Sequence, residues 1–182
     1  MEARLDVSTL SPIRRKILEV AKQQVGIFEN PPGSNNVKFN TWFYGREVFD
    51  GDKQGSTYPW CATAVSWIMA QAGAPLGNIG YTRGYANCPY AVSHLPTWGR
   101  QVTDPLPGDI AIFDWEGDGK FDHTGIFAGA INTELFCCYE GNTSFKNNSN
   151  GGEFMLRADR RYRRAIFIRP HIIEKLEGVL TL

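Results

Sequence analysis

Cys61, His123 and Glu140 supply the three side-chain types that nucleophilic acyl transfer uses: a thiol, an imidazole and a carboxylate. Cys61 stands in Tyr58-Pro59-Trp60-Cys61-Ala62-Thr63-Ala64-Val65-Ser66-Trp67. Ala64, Val65, Ile68 and Ala72 follow it at helical spacing, and Gly73 is placed to end that helix. Pro59 fits just before the first turn or within it, so Cys61 falls near a helix N-terminus. There, unpaired N–H groups and the helix dipole favour an anion. Such a position beside a cation can draw a thiol pKa from about 8.5 to well below 7. Cys61 is therefore a candidate thiolate nucleophile, although a cysteine at a helix start is by itself also a small buried hydrophobe.

A thiolate needs a base, and the base needs a group to orient it. Of the three histidines, His123 has the best setting. It opens a strand directly after the turn Asp118-Gly119-Lys120-Phe121-Asp122, and Gly125 leaves the same face open beside the imidazole. Glu140 closes the next strand, in Tyr139-Glu140-Gly141-Asn142. If the two strands pair as a hairpin, Glu140 lies opposite the region of His123. A carboxylate there accepts the imidazole N–H, fixes its tautomer and stabilises the imidazolium. Asn142 is a second candidate for that role. Tyr58 and Trp60, flanking the thiol, are candidate substrate-binding aromatics in the groove around it.

The elements that must position these residues read as helices first and strands afterwards. Ser11-Pro12 opens a helix over about 12–25, Val37 to Phe43 a short one, and Cys61 the third. A loop rich in turn formers covers 30–36 and a polar, glycine-containing one 45–57. The segment from Gly73 to Asn87 reads as irregular, and Cys88-Pro89 opens a brief helix that Pro96 ends. Strands follow at 109–115, 122–131, 134–140, 154–157 and 165–170, separated by Gly, Asn and Asp turns. That order argues for an α+β fold with N-terminal helices packed on a C-terminal antiparallel meander.

The 182 residues suffice for a single domain with a real core, 42% of them hydrophobic. With 19 basic and 19 acidic residues the formal charge is zero, which gives no ground for a nucleic-acid partner. No apolar run approaches a membrane span, and Met1 to Asp6 has no hydrophobic signal core. The expectation is a monomer made in the cytoplasm, without membrane insertion, its four cysteines reduced. Arg157, Arg160, Arg161, Arg163, Arg164 and Arg169 read as a solvated strand face.

Asp114, Glu116, Asp118 and Asp122, with Lys120 between them and Gly119 at the turn, are spaced like the start of a calcium loop. Gly125 stands where such a loop ends in Glu, and the flanks read as strands, so a hairpin that needs no ion is the competing reading. A structural calcium is thus a candidate, with no cofactor required for the chemistry. Asp50 and Asp52 form a weaker second cluster.

Four blocks in series, YPWCATAVSW, PLPGDIAIFDW, DGKFDHTGIF and YEGN, resemble the CHAP family of cysteine, histidine-dependent amidohydrolases and peptidases, within the papain-like NlpC superfamily. The resemblance covers about 36–170 and departs at Ala64, where many members have Phe. It implies a papain-like CHAP fold, with Cys61 as nucleophile, His123 as base, and Glu140 and Asn142 as orienting groups. It also implies bacterial peptidoglycan as substrate, cut at the muramoyl–L-alanine amide or at a peptide bond of the stem or cross-bridge. Some members hold calcium just ahead of the cysteine helix. The lack of a leader fits a phage endolysin released onto the wall by a separate pore, and equally a module of a larger exported protein. The rival classes are an inactive wall-binding module and a calcium-stabilised structural component of a phage.

Overall fold

The structure is a computed structural model that describes residues 8–179. Three helices come first: α1 (Pro12–Lys22), α2 (Lys38–Tyr44) and α3 (Cys61–Gln71). Pro12 takes the first helical position of α1, where its missing N–H costs nothing. α1 stops short of Gly26 because that glycine, at φ 88°, turns the chain so that its N–H bonds Phe154 O. α3 is buried on nearly every side, since it lies between the sheet and the helices α1 and α2.

Two short helices, α4 (Cys88–Ser93) and α5 (Leu95–Trp98), lead into the strands. The Asn87 side chain caps α4 by accepting the Tyr90 N–H. Pro96 does not simply end α4. It sits in the first turn of α5, where a proline is tolerated.

The six strands are β1 (Gly99–Val102), β2 (Ile110–Phe113), β3 (His123–Ala130), β4 (Leu135–Thr143), β5 (Glu153–Arg161) and β6 (Ala165–Pro170), followed by α6 (His171–Leu176). All pairings are antiparallel, in the order β1-β6-β2-β3-β4-β5. The fold is α+β, and β2 to β5 form the expected meander. β6, however, returns to pair with β2 on its other edge, and β1 extends the sheet beyond it. β1, four residues with two exposed, has too weak an alternation to be read from sequence.

Helices cover one face of the sheet, with Ile17, Phe39, Trp60, Val65, Ile68 and Met69 among the core residues. The other face carries a second apolar cluster that includes Phe113, Phe127, Phe136 and Phe167. Burial on both faces explains why β3 and β4 read as continuous apolar runs.

The arginine run is not a solvated face throughout. Arg157, Arg160 and Arg169 are buried, and only Arg161 and Arg163 of the six are exposed. Each buried guanidinium has acidic or polar partners that sequence spacing did not reveal. Arg169 and Arg14 both pair with the buried Asp109, and Arg14 also binds Glu177 just after α6. This network joins α1, the start of β2, β6 and the chain just past α6. All four cysteines are free. Among the described residues, no helix is long and apolar enough to cross a membrane.

Candidate active site

The chain ahead of Cys61 is pinned by Asn40 of α2. Its amide donates to Asn35 O and Tyr58 O at 2.9 and 2.8 Å and accepts the Thr63 hydroxyl at 2.7 Å. Trp60 is the N-cap residue of α3, so Cys61 is the first helical residue and its thiol is buried at the end of the helix. The approach of α3 to β4 depends on Gly141, where a Cβ would lie 2.7 Å from the Trp60 ring and 2.9 Å from the Ala64 methyl.

His123 opens β3 opposite Phe113 of β2, and Glu140 lies near the end of β4. Gly125 makes their meeting sterically feasible. A Cβ there would stand 2.6 Å from Cys138 Sγ and 2.7 Å from Glu140 Cγ, so the space beside the imidazole is filled from β4. His123 Nε2 and Glu140 Oε2 are 3.0 Å apart, with both side chains fully buried. The other ring nitrogen, Nδ1, is buried without a hydrogen-bond partner.

The Cys61 thiol is close enough to the imidazole for the two to shift each other's proton affinity. The Cys61 pKa is held well below the usual thiol value, first by the neighbouring Cys88 thiol, then by the charge of His123 and by the Thr124 backbone N–H. These outweigh burial, which acts the other way. For His123, burial lowers the pKa, but Cys61 and Glu140 together raise it to about 9. The Glu140 carboxyl would be pushed up by burial, yet Arg160 and His123 hold it below its usual range. The arrangement thus favours thiolate, imidazolium and carboxylate together.

Four groups in this cluster had not been singled out for a role. Cys88 begins α4, and the loop before it is held to α3 by Ser66, whose hydroxyl donates to Tyr85 O and accepts Tyr85 N–H at 3.0 and 3.1 Å. The Tyr85 hydroxyl lies 2.9 Å from Thr124 Oγ1, next to His123. Trp115 stacks 5.9 Å from the imidazole, and Arg160 grips Glu140. The only sequence signal for them was composition: a cysteine after an irregular loop, and an arginine in a strand.

Other expected site residues stand elsewhere. Asn142, at φ 56°, does not reach His123. Its side chain accepts Gly152 N–H and donates to Asn150, tying down the β4–β5 loop. Trp60 is not a groove surface. It is fully buried, stacked 5.6 Å from Phe39, because it plugs the space between α3 and β4. Tyr58 does stay at the surface, half-buried, with its hydroxyl donating to Asp52 and its ring edge against Tyr44.

The acidic loop does not converge on a cation. The Asp114 carboxylate accepts backbone N–H groups from Gly117, Asp118 and Gly119, Asp118 pairs with Lys120, and Asp122 accepts Trp115 N–H. Glu116 is exposed. These bonds occupy the carboxylates of the hairpin turn within the loop itself. In the second cluster Asp50 binds Asn35 and Tyr58 N–H, and the Arg46 guanidinium pairs with Asp52 at 2.8 Å. Among the described residues, no group of three or more His, Cys, Asp or Glu is placed to hold a metal ion.

Residues 53–142 match the family model described as the CHAP domain. Among solved structures the chain is similar to a wild-type endolysin, LysIME-EF1, with a TM-score of 0.52 and 15% identity, over 86% of this chain and 63% of that one. At that identity the likeness is one of fold, and the chain spans under two thirds of the endolysin's length. No curated protein matches this chain.

Proposed function

We propose, from the match of residues 53–142 to the CHAP-domain model, that the chain hydrolyses an amide bond of bacterial peptidoglycan, acting at the cell wall with Cys61 as nucleophile. The observation that carries this reading is a buried imidazole with one nitrogen committed to Glu140 and the other left free beside the Cys61 thiol. Nε2 donates to the carboxylate, so Nδ1 is the nitrogen that exchanges a proton with sulfur. The thiolate attacks the amide carbonyl, forming a C–S bond and an oxyanion. Backbone N–H groups of the first turn of α3, which have no acceptor within the helix, stabilise that oxyanion. The imidazolium then gives its proton to the leaving amine as the C–N bond breaks, which leaves a thioester. Water, deprotonated by the imidazole, attacks the thioester and releases the acid and the thiol.

The muramoyl–L-alanine amide and a stem or cross-bridge peptide bond present the same reacting atoms. Mass spectrometry of fragments released from purified peptidoglycan identifies the bond. Cys61→Ser should abolish release, by about 10³-fold or more. Wild-type protein that releases nothing from walls of any tested species, or a serine variant that releases as much, overturns the reading in favour of a non-catalytic wall-binding module.

A further inference from the structure

We propose that Arg160 is a positioning residue of this site, acting on His123 through Glu140. Arg160 Nε donates to Glu140 Oε1 at 2.6 Å, and Nη2 to Oε2, the same oxygen that receives His123 Nε2. A guanidinium fork matches both oxygens of a carboxylate and so fixes its plane. The rotamer of Glu140, and with it the orientation of the imidazole, is therefore set by Arg160.

The guanidinium is itself held in place. It lies 4.9 Å from the Trp115 ring centroid and 5.5 Å from that of Phe113, and Nη1 donates to Asn148 at 2.9 Å. Trp115 in turn donates to Ser149 at 2.7 Å. The β4–β5 loop thus buttresses the far side of the site, although none of its residues reaches the thiol.

Charge gives the second argument. Arg160, Glu140, His123 and Cys61 form a buried row of alternating sign whose sum is zero when the thiol is ionised. Without the arginine the sum is negative, and burial penalises an excess anion most. Either the carboxylate or the thiolate must then gain a proton. The other ionisable groups facing the row are Cys88 and Tyr85 beside Cys61, Cys138 beside Glu140, Asp159 beside Arg160, and Asp122 near Cys88. Arg157 is a second buried guanidinium nearby, donating to the same Thr143 hydroxyl as Arg160, but its charge is paired with Asp159. Arg160 is the cation in contact with Glu140.

The role rests on the hydrolase reading, but the labelling arm of its test does not need the substrate. Iodoacetamide labelling of the Cys61 peptide, followed by mass spectrometry across pH, reports the thiolate directly. Arg160→Met should raise the labelling midpoint by about one pH unit or more. Adding Glu140→Gln to that variant removes the uncompensated anion and should bring the midpoint back toward wild type. Arg160→Lys keeps the charge and loses the fork, so the midpoint should stay while wall turnover falls about tenfold. A methionine variant with the wild-type midpoint and only a lower melting temperature makes Arg160 merely structural and overturns the proposal. Should the methionine variant fail to fold, wild-type turnover in the lysine variant overturns it instead. Wild-type protein inert on walls sinks the hydrolase reading and leaves the labelling test standing.

Discussion

The indole of Trp60 occupies the volume that a side chain on Gly141 would need, at 2.7 Å from where its Cβ would stand. This contact sets the distance between the helix that carries the thiol and the strand that carries Glu140. Gly141→Ala must push rigid ring atoms or backbone aside, an overpacking cost of about 1–3 kcal/mol. We expect a lower melting temperature by calorimetry and slower Cys61 labelling, because sulfur and imidazole move apart. An alanine variant as stable as wild type would show that the interface is loose.

Activity should fall as pH rises through about 9, where the His123 imidazolium loses the proton needed by the leaving amine. The sign for stability is the same. A histidine with its folded pKa raised above the unfolded value stabilises fully below about pH 6.5. That contribution disappears as pH passes about 9. On the acid side, Cys88→Ala removes the foremost cause of the lowered Cys61 pKa, so the labelling midpoint should move upward. A basic limb near neutral pH, or an unmoved midpoint, would contradict this account.

Asp109 faces two buried guanidinium groups, those of Arg14 and Arg169. Asp109→Ala leaves both without their carboxylate, and a loss of about 3–5 kcal/mol is expected by urea unfolding. The network lies away from the thiol, so the pH midpoint of Cys61 labelling should not change in the variant that remains folded.

Calcium removal provides a separate check. Asp114 is saturated by backbone donors, Asp118 by Lys120, and Asp52 by Arg46. EDTA should therefore leave both the melting temperature and wall cleavage unaltered. A loss on chelation that added calcium restores would show that these side chains rearrange around an ion.

What the sequence determined by itself was local. Pro59 ahead of an apolar helical stretch placed Cys61 at a helix N-terminus, and the turn before His123 with the hairpin after it brought Glu140 to the imidazole. Each of these follows from short-range geometry, a helix period or a strand pairing across one turn. Tertiary structure decided the rest. Arg160 is twenty residues from Glu140, with register shifts in the intervening β4–β5 pair, so no alternation rule aims its side chain at that carboxylate. Cys88 stands beside Cys61 at the end of a loop that Ser66 ties to α3 through Tyr85. Trp60 is core rather than groove because two elements close over it, and the acidic loop satisfies its carboxylates with its own backbone. Burial and the choice among competing hydrogen-bond partners depend on which elements meet, and that is a property of the packed chain rather than of any stretch of it.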